Sequence, residues 1–297
     1  MRTLATASLA LLTLLFTACG GTSHTVAAAR PLNGNWQINL LQQYPTQAPL
    51  SASGFIIQAS NAIQGSIQVP PVGPKNSCAG VSAMSGTVDA QSVTFSLNEG
   101  GTAVNFTGTI SSDNQSMAGD YQAVGGACFT TATSGTWNAV LVPQLTGNFT
   151  GTLSGSTYMS ALTGQTTPAP IAVSGTITQS SNADGSNASL TGTITAVGYP
   201  CFTTASLTGT ISGQNVYMDV FNYQGVQIGT LGVPGVQSLG ASATPATVIS
   251  NSTGLSLVGT GEGGLALGQG VAGPCPAIFV NGASTTGDVT AVSFIFK

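Results

Sequence analysis

The chain has 297 residues, enough for one large domain or two ordinary ones with a real core. Hydrophobic residues make up 42% and charged residues only 4%, with 40 glycines, a balance that excludes an intrinsically disordered chain, where charge is high and apolar content low. Four basic residues stand against eight acidic ones, which excludes the basic surface that nucleic acid requires.

At the N-terminus Arg2 precedes an apolar run from Leu9 to Phe16, and Thr17 and Ala18 put small residues before Cys19. This is the order of a secretory signal over residues 1–18. The stretch from Leu4 to Ala18 falls short of the roughly 20 residues a membrane-spanning helix needs. The segment Leu15-Phe16-Thr17-Ala18-Cys19 resembles the lipobox of bacterial lipoproteins, with Phe16 where that family usually has leucine. The resemblance implies cleavage before Cys19, acylation of its thiol and new amine, and partnership with the membrane through that lipid. Gly20, rather than aspartate, implies sorting to the outer membrane. Each buried methylene contributes about 0.8 kcal/mol, so two or three chains would hold the protein firmly. Residues 19–30 are small and polar and read as a tether.

From Pro31 onward, short runs alternate apolar residues with Ser and Thr and are broken by Gly, Asn and Asp, as in Thr87 to Leu97. This predicts antiparallel hairpins, about eight strands in each of two stretches, 31–143 and 144–297. The expected fold is all-β: two tandem barrels or sandwiches. No sustained helical periodicity follows the signal.

The two stretches echo one another. Leu32 to Leu40 matches Leu145 to Leu153; Cys78, Met84 to Val88 and Ser92 to Leu97 match Cys201, Leu207 to Ile211 and Asn215 to Val220. Phe106 to Thr109 matches Leu257 to Thr260, Cys128 matches Cys275, and Thr136 to Val140 matches Asp288 to Val292. Tandem duplication accounts for this, with an insertion in the second copy near 233–252. The alternative is that Thr-Gly-Thr-Ile is a strand phrase this chain repeats. Four cysteines allow three pairings, and matching places in the repeat select the disulfides Cys78–Cys128 and Cys201–Cys275. Alternation puts Val93, Phe95 and Leu97 inside with Val216, Met218 and Val220, and Tyr217, Asp219, Phe221 and Tyr223 on the other face. Tyr217, Phe221 and Tyr223 therefore form a candidate interface, covered by the first half, the insertion, another protein or a ligand.

Gly34-Asn35-Trp36 is similar to the Gly-x-Trp opening of lipocalins, which implies an eight-stranded meander as a candidate shape. The alternative is that Trp36 fills a β-core.

Catalytic chemistry has little to stand on. His24, the sole histidine, lies in the tether, and the cysteines lack close zinc-type spacing. Asp89, Glu99, Asp113, Asp184, Glu262 and Asp288 sit in turn-like contexts, where a carboxylate caps backbone amides, while Asp120 and Asp219 fall within strands. The expectation is a non-enzymatic, lipid-anchored envelope protein without metal or cofactor, binding a small apolar ligand or a protein. A structural or adhesive envelope protein is the alternative, and a carboxylate hydrolase the third reading.

Overall fold

In the run Ser92–Glu99, Val93, Phe95 and Leu97 are buried while Ser92 and Thr94 face outward, the period-2 pattern of a strand with one wet face. The same grammar recurs throughout the computed structural model. The structure describes residues 31–44, 50–69, 80–99, 101–124, 132–154, 169–180, 188–199, 202–225, 227–232, 246–251, 254–259, 265–266, 278–280, 283–285 and 291–297.

Eight strands form the first barrel: β1 (Gly34–Tyr44), β2 (Leu50–Ala59), β3 (Ala62–Val69), β4 (Gly80–Asp89), β5 (Ser92–Glu99), β6 (Thr102–Ile110), β7 (Ser116–Ala123) and β8 (Thr133–Val142). Each pairs antiparallel with the next, and β8 returns to β1, with Trp36 opposite Leu141 and Ile38 opposite Ala139. The sheet closes on itself, so the shape is a barrel and not a sandwich.

The second barrel begins with β9 (Gly147–Ser154), β10 (Ile171–Ser180), β11 (Ala188–Ala196), β12 (Thr204–Ser212) and β13 (Asn215–Phe221). It closes through β15 (Ala246–Asn251), β16 (Gly254–Gly259) and β20 (Ala291–Phe296), which pairs with β9. A short branch leaves the ring on β13: β14 (Gln227–Leu231), carrying β17 (Leu265–Ala266). A separate hairpin joins β18 (Ile278–Val280) to β19 (Ala283–Thr285). Residues 31–297 form one compact unit.

Glycines in mid-strand let neighbouring strands approach closely as the sheets coil. A Cβ at Gly119 would lie 1.9 Å from the Thr107 carbonyl oxygen, and one at Gly209 2.0 Å from that of Tyr217. That explains the recurring Ser/Thr-Gly-Thr phrase: glycine at the contact, hydroxyls on the wet face to either side.

The duplication is visible in register. Trp36 and Phe149 occupy matching places, as do Gly54 and Gly175, and Gly86 and Gly209, each facing its counterpart partner in the ladder. Toward the end of the chain the expected matches need correction. β16 lies between β15 and β20, so it takes the place of β7, not that of β6 with Phe106 to Thr109. Trp36 faces Leu141 and Phe149 faces Phe296, so Val140 matches Ile295 rather than Val292. Within the segment expected to be an insertion, Ala246–Asn251 forms β15, whose Ala246 and Val248 enter the core.

Candidate functional site

The interior of the first barrel is occupied by its own side chains. Phe95 and Phe106 stack at 4.4 Å, and Trp137 meets both edge-on at 5.2 and 5.8 Å. Tyr121 joins at 5.8 Å, and burial raises its phenol above the usual value. Both tryptophan N–H groups are spent on backbone: Trp36 Nε1 donates to the Leu32 carbonyl at 2.9 Å, Trp137 Nε1 to that of Thr107 at 3.1 Å. The second barrel is similar. Phe149 stacks on Phe294 at 4.3 Å, and the buried pair Tyr199 and Phe202, edge to face at 5.1 Å, belongs to the same core. An eight-stranded barrel has an interior that side chains can fill or that can hold one small ligand, and in both barrels these aromatic rings lie within it.

A second constellation joins the barrels. On β1 the inward positions are Trp36 and Ile38, which leaves Asn35 and Gln37 on the outside, yet both are buried. The turn between β12 and β13 covers them. Asn35 Nδ2 donates to the Gly213 carbonyl at 2.7 Å, and the Gly213 amide donates to Asn35 Oδ1 at 2.6 Å. The Gln214 amide donates to Gln37 Oε1 at 3.0 Å, and the Ser53 and Ser212 hydroxyls share a bond of 2.8 Å. Gly213 has φ +56, and a Cβ there would lie 2.4 Å from Gln37 Oε1. Phe55, outward on β2, is buried in the core cluster of the second barrel. In the second copy the matching positions are Asn148, Thr150 and Thr176, none of them buried. The link between barrels is fixed as well, since the Leu145 amide donates to Gln179 Oε1 at 2.8 Å.

The candidate interface residues belong to β13 and the turn that follows it. Val216, Met218 and Val220 are inside, as the alternation predicts, and Tyr217 and Phe221 are half-buried on the opposite face of β13. Burial raises the Tyr217 phenol above its usual value. Tyr223, beyond the strand end, is 90% exposed. Among the described residues, the hydrogen bonds between the barrels are made by Asn35, Gln37 and Ser53 with Ser212 to Gln214, and not by these aromatics. That seam is what sequence reasoning missed. The signals were an outward Phe55 where the second copy has Thr176, and Gly213 where the first has Ala90.

The acids divide by context. Asp113 caps a turn: the Ser111 hydroxyl donates to it at 2.6 Å and the Gln115 amide at 3.0 Å, and these hold its carboxyl below the usual range. Asp120 stands on the outer face of β7 between Thr107 and Thr136. Asp219 stands on β13 between Thr208 and Thr230, and Gln227 Nε2 donates to its Oδ1 at 2.8 Å. Neither has a second carboxylate as a cross-strand neighbour. Among the described residues no group of three or more His, Cys, Asp and Glu is placed to hold a metal ion. Cys19, Cys78, Cys128, Cys201, Cys275 and His24 lie outside the described residues.

No protein-family profile, curated protein or solved structure matches the chain.

Proposed function

We propose that this is a lipid-anchored, non-enzymatic protein of the bacterial outer membrane that works through the outer wall of its barrels, as a structural or adhesive module. What carries the reading is the filled interior: Phe95, Phe106, Tyr121 and Trp137 occupy by mutual contact the space in which a barrel carrier would hold a ligand. The polar seam adds to it, because Asn35, Gln37 and Ser53 tie the two barrels together by hydrogen bonds. In this reading Cys19 carries the lipid, and the disulfides Cys78–Cys128 and Cys201–Cys275 brace each barrel. A 50-residue separation such as that of Cys78 and Cys128 corresponds to about 4 kcal/mol in the chain-entropy account.

Metabolic labelling with a fatty acid tests the anchoring. Label is expected in the wild-type protein and absent from Cys19→Ala; equal label in both would overturn the lipid assignment.

A further inference from the structure

Only two acids among the described residues lie well inside a strand, and both stand fourth in a row of the same composition. On the first barrel the ladder aligns Thr87, Thr94, Thr107, Asp120 and Thr136 across β4 to β8. On the second it aligns Thr178, Thr191, Thr208, Asp219 and Thr230 across β10 to β14. The rows are not copies of one another. In the duplication Thr87 corresponds to Thr210 and Thr94 to Tyr217, so the second row sits on other positions of the repeat. A pattern that arises twice at unmatched places is not a relic of duplication.

We infer that the outer wall of the second barrel, along Thr178, Thr191, Thr208 and Asp219, binds a neutral polysaccharide. Adjacent strands lie about 4.8 Å apart, so these four positions span roughly 14 Å, with a hydroxyl on each of three strands and a carboxylate on the fourth. That is an extended array of donors and acceptors for a linear, hydroxyl-rich chain laid across the strands. Thr178, Thr191 and Thr208 are exposed. Charge argues for a neutral partner: these three threonines are uncharged, the row holds no basic residue, and its one acidic side chain is Asp219. Gln227, donating to Oδ1, fixes that carboxylate as an acceptor for sugar hydroxyls. Tyr217 and Phe221 flank Asp219 on the same face, each about 7 Å away along β13, and offer apolar surface to the C–H faces of pyranose rings. On the first barrel Asp120 is flanked by Ala118 and Gln122 and has no such platform, so the second row is the site.

This deepens the adhesive reading and rests on it for the outer-wall role, but its test is separate: loss of glycan binding would leave the lipid anchor and the filled interiors untouched, and loss of the label on Cys19 would leave glycan binding intact. The purified full chain, in mild detergent, is sedimented with insoluble cellulose, starch granules or chitin, and with alginate beads as a charged control. Depletion is expected with at least one neutral polysaccharide and not with alginate. Tyr217→Ala with Phe221→Ala should weaken it by about ten-fold or more. Thr191→Val with Thr208→Val, which keeps shape and strand preference and so the fold, should weaken it by about five-fold or more. Asp120→Asn, on the other barrel, should leave it unchanged. Absence of depletion with all three neutral glycans, depletion with alginate alone, pelleting without any polysaccharide, or full binding by the Thr191→Val, Thr208→Val protein would each overturn the proposal.

Discussion

Replacing Gly119 by alanine is expected to cost the first barrel about 3 kcal/mol or more, a large part of the stability of an ordinary domain. The added Cβ would lie 1.9 Å from the Thr107 carbonyl oxygen and 2.5 Å from the Cα of Gly108, its ladder partner. Both are backbone atoms of β6, which cannot retreat without breaking hydrogen bonds on one side or the other. Trp137 stands close by, since a Cβ on Gly108 would meet its ring at 2.8 Å. The readout is specific to this barrel, because both tryptophans of the chain, Trp36 and Trp137, lie in it. Tryptophan emission should shift to the red at a temperature where the wild type is still folded. Ala118→Ser, on the exposed face beside it, should stay within about 0.5 kcal/mol. If Gly119→Ala were equally mild, the close approach of β6 and β7 would not exist.

Asn35→Ala is expected to uncouple the barrels. It leaves the Gly213 amide and carbonyl buried at the seam with neither of their partners, at about 1 to 3 kcal/mol for each group. Tryptophan emission, reporting the first barrel, and far-ultraviolet dichroism, reporting both, should then unfold at different temperatures, whereas in the wild type they coincide. Asn35→Asp is expected to be worse at neutral pH, since its carboxylate accepts from the Gly213 amide but also faces the Gly213 carbonyl without a proton to donate. Burial raises the pKa of such a group, so stability should be recovered as pH falls through that raised value and the acid becomes a donor. Asn148→Ala makes the same change at the matching place of the second copy, where the side chain is exposed. It should be within about 0.5 kcal/mol of neutral, and an equal loss there would mean that the effect belongs to the strand and not to the seam.

Much of this fold is legible in the sequence because a strand with one wet face writes its own orientation. Val93, Phe95 and Leu97 alternate with Ser and Thr, and so do the inward residues of β11 and β12, such as Leu190 and Leu207. Barrel closure is not legible, since the pairing of β1 with β8 joins residues about a hundred positions apart and either strand would read the same at the edge of a sandwich. The seam was hidden for a related reason: Asn35 and Gln37 look like ordinary outward polar residues, and only a contact with residues far along the chain makes them buried. The duplication misled in its last third because Thr-Gly-Thr marks any strand that needs a close neighbour, so its recurrence does not fix register. Tyr217, Asp219 and Phe221 were correctly placed on the outer face, but the threonine row that joins them becomes visible only when the strands are laid side by side.

The claim that the barrels act through their outer walls is tested most directly by native mass spectrometry of residues 31–297, secreted into an oxidising compartment and purified without detergent. The filled interiors predict the mass of the polypeptide alone, unchanged after incubation with long-chain fatty acids and other apolar small molecules. A stoichiometric apolar molecule retained by the folded protein and released on unfolding would contradict the account, since there would then be an interior site beside the packed rings of Phe95, Phe106 and Trp137.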